Sequence, residues 1–225
     1  VHALLLPGPY SSDHSVGDAR LLAERLGVAY NIISISKTHD VLLETLGPLM
    51  NHSVEGVTEE NLQARARGVI LMGFSNRYGH MLLNTSNKSE AAVGYGTLYG
   101  DMCGGLSVLG DVYKTEVYDL AQYINRFEEI IPLNTITKPP SAELRPDQKD
   151  TDSLPEYDVL DQILFQYIEK ECSIAQIQSM GFDPEMVRQV VKMVNANEYK
   201  RRQSPPSLRV SQKGFGSGRR LPIVA

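Results

Sequence analysis

Residues 83–101 read LNTSNKSEAAVGYGTLYGD, and three chemical devices fall within that one turn. Thr85 places a hydroxyl at the end of the short apolar run Met81-Leu82-Leu83. Asn87 and Glu90 have the spacing of a capping box, in which the third helical residue reaches back to the cap amide. The Glu90 carboxylate could instead hold Mg²⁺ between triphosphate oxygens, or receive a hydroxyl or amide of a substrate. The uses compete, because a carboxylate has two oxygens. In an open parallel sheet, ligands bind beyond the carboxyl ends of strands, where these groups would point.

Other residues invite the same question. Lys114, in DVYKTEVYDL, stands at a predicted helix start, where its charge opposes the dipole at a cost of a few tenths to about 1 kcal/mol. A phosphate bound at that terminus would remove the conflict. Asp101, in LYGDMCGG, is either a turn aspartate or a ligand contact reached through flanking glycines. Asn61 and Arg65 are four apart and share a helix face, whereas Arg67 points elsewhere. Each arginine is either solvated or a bidentate grip on a phosphate or carboxylate. The glycines of GYGTLYGDMCGG do not follow the GxGxxG spacing of dinucleotide folds.

These groups need a scaffold, and hydrophobic patterning supplies one. VHALLLP predicts a strand buried on both faces. Ser11, Ser12 and Asp13 offer cap oxygens to a helix carrying Val16, Ala19, Leu22, Ala23 and Leu26, closed by Gly27. A strand over 30–36, a helix over 41–50 and a third helix capped by Thr58 follow. Past the Leu83 turn come a strand near 106–109, a helix TEVYDLAQYINRF and a strand end at Ile130-Ile131-Pro132. The alternation predicts an α/β fold, an open parallel sheet with helices on both faces. KPPSAELRPDQKDTDSLPEYD has no periodicity and reads as a mobile loop or lid. Two helices end the pattern, over about 155–171 and from Asp183-Pro184, a cap followed by proline at the first helical position, to about 201.

Composition narrows the class further. With 225 residues and 42% apolar content, one domain with one core is expected. No apolar stretch approaches the roughly 20 residues of a membrane span, so a soluble, cytoplasmic protein is expected. Cys103 and Cys172 are too few for a disulfide scaffold or a thiolate metal site. A net charge of -5 argues against nucleic acid as a partner, although 199–225 holds seven Lys or Arg and no acid. That basic stretch is expected to be a solvated extension, with Lys200-Arg201-Arg202 able to reach a phosphate.

Taken in order, NTSNKSE, GYGTLYGDMCGG, KPPSAELRPDQKD, DSLPEYDVLD and EYKRRQ resemble the synthetase domain of NAD⁺ synthetase. NKSE and LYGDMCGG are most similar to the glutamine-dependent branch, and the resemblance runs from residue 1 to about 222. It implies the adenine nucleotide alpha-hydrolase fold of the ATP pyrophosphatases, with added C-terminal helices. It also implies a ligase: deamido-NAD⁺ attacks ATP to form an adenylate and pyrophosphate, and ammonia, normally drawn from glutamine, then displaces AMP to give NAD⁺. Mg²⁺ is the implied cofactor and a homodimer or larger assembly the implied state.

Matched by position, Thr85 falls where the family binds ATP, and Lys114 and Ser141 fall where it contacts phosphate. Glu90 corresponds to a ligand of Mg²⁺ and of the substrate. Asn61, Arg65, Asp101, Tyr199 and Lys200 correspond to positions around deamido-NAD⁺, with Arg67 as a neighbour, and 147–153 resembles a lid. The family's phosphate loop, of the form SGGxDS, belongs after a first strand upstream of VHALLLP, and its glutaminase domain lies outside 1–225. Without that loop the segment is expected to lack the main pyrophosphate cradle and one Mg²⁺ ligand, and to be inactive by itself. The alternatives are another amide ligase of the same superfamily and a nucleotide-binding module without catalysis.

Overall fold

A computed structural model of the chain describes residues 1–50, 56–216 and 218–223. In chain order the elements are β1 (His2–Leu5), α1 (Asp13–Arg25), β2 (Ala29–Ile32), α2 (Ser36–Leu46), a 3₁₀ turn (Gly47–Met50), α3 (Val57–Tyr78), β3 (Leu83–Asn84), α4 (Lys88–Val93), β4 (Leu106–Ser107), α5 (Lys114–Ile124), α6 (Leu133–Thr137), a 3₁₀ turn (Asp150–Asp152), α7 (Tyr157–Ile168), α8 (Ile174–Ser179), α9 (Pro184–Ala196) and α10 (Glu198–Arg201). The chain packs as two compact units, Val1–Tyr78 with Asp119–Ser153 and Gly79–Tyr118 with Leu154–Ala225.

In the first unit β1 and β2 pair in parallel, from His2 opposite Ala29 to Leu5 opposite Ile32. Ser12 caps α1 by accepting from the Ser15 amide, so one of the three predicted oxygens does the work. The strand predicted over 30–36 stops at Ile32, because Ile35 already has helical φ and ψ and α2 opens at Ser36, five residues before the predicted start. No strand forms at Ile130-Ile131-Pro132. The Asn125 side chain takes both amides there, at 3.0 and 2.8 Å, and gives its own N–H to the Ile131 carbonyl at 2.7 Å. Those backbone groups have no need of a ladder.

In the second unit β3 and β4 pair in parallel, Leu83 opposite Leu106 and Asn84 opposite Ser107. The basic stretch is not a solvated extension here. Ser107 donates to the Pro206 carbonyl and Leu208 donates back to Ser107, so residues 206–208 run alongside β4. An apolar cluster lies within this unit: Ala92 and Val93 of α4, Leu160, Ile163, Leu164 and Ile168 of α7, Ile177 of α8, and Val187, Val190 and Val194 of α9, while Leu5, Ala23, Ile35, Leu62, Ala64 and Ala66 are buried in the first unit.

Asp183 caps α9 and Pro184 occupies its first turn, as the sequence predicts. The helix does not run on to Arg201. It breaks at Asn197, whose side-chain amide donates to the carbonyls of Val93 and Met193 at 2.9 and 2.8 Å, and α10 starts afresh. Asn197 also explains Gly94, which ends α4 with φ of 72° and whose imagined Cβ would lie 2.1 Å from Asn197 Cγ. Gly94→Ala combines a left-handed backbone with overpacking, so it is expected to destabilise by about 2–4 kcal/mol, read by denaturant unfolding.

Candidate active site

The turn after β3 is organised by a residue without a reactive group. Asn84, buried at the strand end, donates to the carbonyls of Asp101 and Cys103 at 2.7 and 3.3 Å, and its oxygen accepts from the Ser86 amide and the Ser107 hydroxyl. Thr85, next to it, is exposed. A cavity of about 30 Å³ lined by Asn84, Ser86, Glu90, Tyr95 and Met102 has room for water but not for a nucleotide.

At the start of α4 the capping-box reading of Glu90 holds, on one of its two oxygens. Asn87 Oδ1 accepts from the Glu90 amide at 2.9 Å, and Glu90 Oε2 accepts from the Asn87 amide at 3.1 Å, closing the capping box. Oε1 turns toward Lys114, whose Nζ lies 3.4 Å away. Both side chains keep about a fifth of their surface open, 19% each, so the pair is sheltered yet within a ligand's reach. The Lys114 ammonium also lies 5.4 Å from the centre of the Tyr157 ring and 5.8 Å from that of Tyr118.

The helix terminus at Lys114 is capped by protein side chains, two carboxylates and a hydroxyl. Orphan amides at the start of α5 are taken one by one: Tyr113 N–H by Glu116 at 2.8 Å, Lys114 N–H by the Ser89 hydroxyl at 2.9 Å, and Thr115 N–H by Asp161 at 2.9 Å. Only the Lys114 side chain, not the helix terminus, is therefore left to meet an anion.

A second pairing lies at the glycine turn that follows α4. Lys200 Nζ donates to the carbonyls of Gly94 and Gly96 at 2.7 and 2.8 Å, and Asp101 Oδ1 accepts from the Thr97 amide at 2.7 Å. Burial lowers the Lys200 pKa, with Asp101 pulling the other way. Asp101 exposes much of its surface, but its carboxyl group is packed against the turn. That burial raises its pKa against the Thr97 N–H and the Lys200 charge. Lys200 and Asp101 thus shape the turn through its backbone. Tyr199, one residue earlier, is exposed. The Cys103 thiol is pushed up by burial, the opposite of what a nucleophilic thiolate requires.

The remaining predicted residues belong to the first unit. Asn61 and Arg65 are half-buried on one face of α3, as their spacing requires. Arg67 Nε donates to the Leu6 carbonyl at 2.9 Å, beside the end of β1. Ser141 accepts from the Glu143 amide at 3.1 Å within an irregular segment that is well tied down. Glu143 accepts from the Ser12 amide and from the hydroxyls of Ser12 and Ser15, at 3.2, 3.0 and 2.6 Å. Burial works to raise the Glu143 pKa, but those donors and Lys138 outweigh it and hold the group low. Gln63 reaches the Leu144 carbonyl at 2.9 Å, and Arg145 pairs with Asp152 at 2.8 Å.

Sequence reasoning missed Asn84, Ser89 and Asp161. One signal was available for Asp161, a carboxylate set in the apolar helical run of Leu160, Ile163 and Leu164, where a charge is tolerated only with partners. Among the described residues, no three His, Cys, Asp or Glu side chains gather as a metal site. The donor set still suits an ion that arrives with phosphate oxygens, since Mg²⁺ commonly takes only one or two protein carboxylates.

A glutamine-dependent NAD(+) synthetase from Cytophaga hutchinsonii superposes with a TM-score of 0.82 at 24% identity, over 99% of this chain and 38% of that one. The parallel strand pairs and this superposition define the class, an α/β fold shared with that synthetase. The family model for NAD synthase matches residues 1–204, and the chain belongs to that family. It is 53% identical to the glutamine-dependent NAD(+) synthetase of Acinetobacter baylyi, over 100% of this chain and 42% of that protein. The Acinetobacter baumannii synthetase, solved in complex with adenosine diphosphate, is 46% identical with a TM-score of 0.61, over 100% of this chain and 40% of that one. The chain thus spans about two-fifths of the length of these relatives.

Proposed function

We propose that this chain is the synthetase part of an enzyme that amidates deamido-NAD⁺ to NAD⁺, using ATP and ammonia derived from glutamine. The nicotinate carboxylate attacks the α-phosphorus of ATP and pyrophosphate leaves. Ammonia adds to the carbonyl carbon of the resulting adenylate, loses a proton, and expels AMP. The observation that carries this reading is the Glu90–Lys114 pair at the mouth of the β3–α4 turn, a cation and a carboxylate held 3.4 Å apart by backbone caps.

Such a reaction asks for positioning and charge neutralisation more than for covalent chemistry from the protein. Lys114 meets the phosphates, with Thr85 as a further ATP contact. Glu90 Oε1, which faces Lys114, is the oxygen assigned to Mg²⁺ or to the substrate, while Oε2 serves the cap. Mg²⁺, when bound with the triphosphate, neutralises charge on the leaving pyrophosphate. Tyr199, Asp101 and Lys200 serve deamido-NAD⁺, the last two by fixing the glycine turn. Among the described residues no helix is long and apolar enough to cross a membrane. Cytoplasmic location and homodimeric assembly belong to the same proposal.

The test is the full-length protein incubated with ATP, deamido-NAD⁺ and ammonia. NAD⁺, AMP and pyrophosphate should appear in equal amounts, and ATP bound without AMP release would favour a non-catalytic module. Lys114→Met should raise the KM for ATP about 10-fold to 100-fold, the worth of a hydrogen bond to a charged group. An unchanged ATP dependence would remove Lys114 from the site.

A further inference from the structure

We propose that Asp161 is a positioning residue for the nucleotide site, a buried carboxylate that sets Lys114 against Glu90 without itself touching substrate. Asp161 projects from α7 and is 5% exposed. Its Oδ1 accepts from the Ser89 hydroxyl at 2.5 Å, and its Oδ2 accepts from both the amide and the hydroxyl of Thr115 at 2.9 Å. Ser89 Oγ accepts in turn from the Lys114 amide at 2.9 Å. Ser89 precedes Glu90 and Thr115 follows Lys114, so one carboxylate holds the chain neighbours of both members of the pair.

The geometry has two consequences. Rotating or withdrawing Asp161 releases two amides at the α5 terminus together, because Ser89 loses the acceptor that orients its hydroxyl toward Lys114 N–H. Moreover, α4 and α5 are short elements that meet near these residues, so a shift of either moves Lys114 Nζ relative to Glu90 Oε1. Misplacement of about 1 Å in a charge-positioning site is enough for a large loss. The inference rests on the proposed ligase reading, in which Lys114 meets ATP.

Asp161→Ala in the full-length protein is expected to raise the Kd and the KM for ATP about 10-fold to 100-fold. Asp161→Asn should recover part of that loss, because its single oxygen keeps an acceptor for Thr115 N–H but not also for the Ser89 hydroxyl. Ser89→Ala should weaken ATP in the same direction, which keeps the test open if Asp161→Ala fails to fold. The readout that a merely structural role would not move is the double mutant. In a Lys114→Met background Asp161→Ala should change ATP affinity less than about 2-fold, because the group it positions is gone. Wild-type ATP affinity in Asp161→Ala and Ser89→Ala, or multiplicative effects in the double mutant, would overturn the inference while leaving the ligase reading intact. Wild-type protein that neither binds ATP nor releases AMP would overturn both. ATP binding is read by calorimetry, so it does not depend on turnover.

Discussion

Glu90→Gln is expected to lower the rate of AMP release about 100-fold to 1000-fold while the thermal midpoint stays near that of the unchanged protein. The magnitude is that of removing one preorganised electrostatic group from a site where charge develops. The small stability change follows from the division of labour between the two oxygens. The cap needs only an acceptor for the Asn87 amide, and glutamine serves that position in capping boxes as well as glutamate does. The lost ion pair is long, at 3.4 Å, and keeps 19% of each side chain open to solvent, so its contribution is on the order of 1 kcal/mol. Steady-state kinetics at fixed Mg²⁺ and a melting curve on the same sample separate the roles. Equal losses in rate and stability would mean that Glu90 is a cap and nothing more. Raising Mg²⁺ should restore part of the rate lost in Glu90→Gln if the missing oxygen belongs to the metal, and none if it belongs to the substrate.

The features that the sequence makes legible are local. Asn87 with Glu90, and Asp183 with Pro184, are patterns completed within four residues, and both form as predicted. Strand positions come through in outline, since apolar runs mark β1 to β4, but their lengths do not. Ile35 turns helical early, and the backbone at Ile130 and Ile131 is satisfied by Asn125 rather than by a neighbouring strand. What escapes prediction is carried by long-range side chains. Lys114 at a helix start signals a charge conflict, but part of the cap there is Asp161, 46 residues from Thr115, which no window of periodicity contains. Asn197 is likewise indistinguishable from a helical residue until the carbonyl of Val93, 104 residues away, is beside it. The basic stretch looks solvated by composition alone, because nothing in 199–225 announces that Asp111 will hold the amides of Val210 and Ser211.

Lys88→Met is expected to destabilise by about 3–5 kcal/mol, the usual result of removing one partner from a buried charge network. The Lys88 side chain is 0% exposed, and its Nζ lies 2.9 Å from Asp111 Oδ1, 2.7 Å from Glu169 Oε1 and 2.8 Å from Ser211 Oγ, with the Tyr113 ring 4.8 Å away. Methionine fills a similar volume but leaves two carboxylates facing each other out of water. The loss should therefore be electrostatic in origin, and pH should reveal it. Burial works to raise the Asp111 pKa, yet the Ser211 and Val210 amides, the Ser211 hydroxyl and Lys88 more than reverse that and hold it below the ordinary carboxylate value. A depressed folded pKa gives stability that is present above the unfolded value of about 3.9 and lost as pH falls through the folded one. In Lys88→Met the same site lacks its cation, so protonation relieves repulsion there instead of removing an attraction. The unfolding free energies of the two proteins, measured in urea, should thus lie far apart at pH 7 and converge as the pH is lowered toward 4. A gap that stays constant over that range would show that Lys88 acts by packing alone. Adding Glu169→Gln to Lys88→Met should recover part of the loss at pH 7, because one buried charge is easier to satisfy than two, with Ser211 and the backbone amides still serving Asp111.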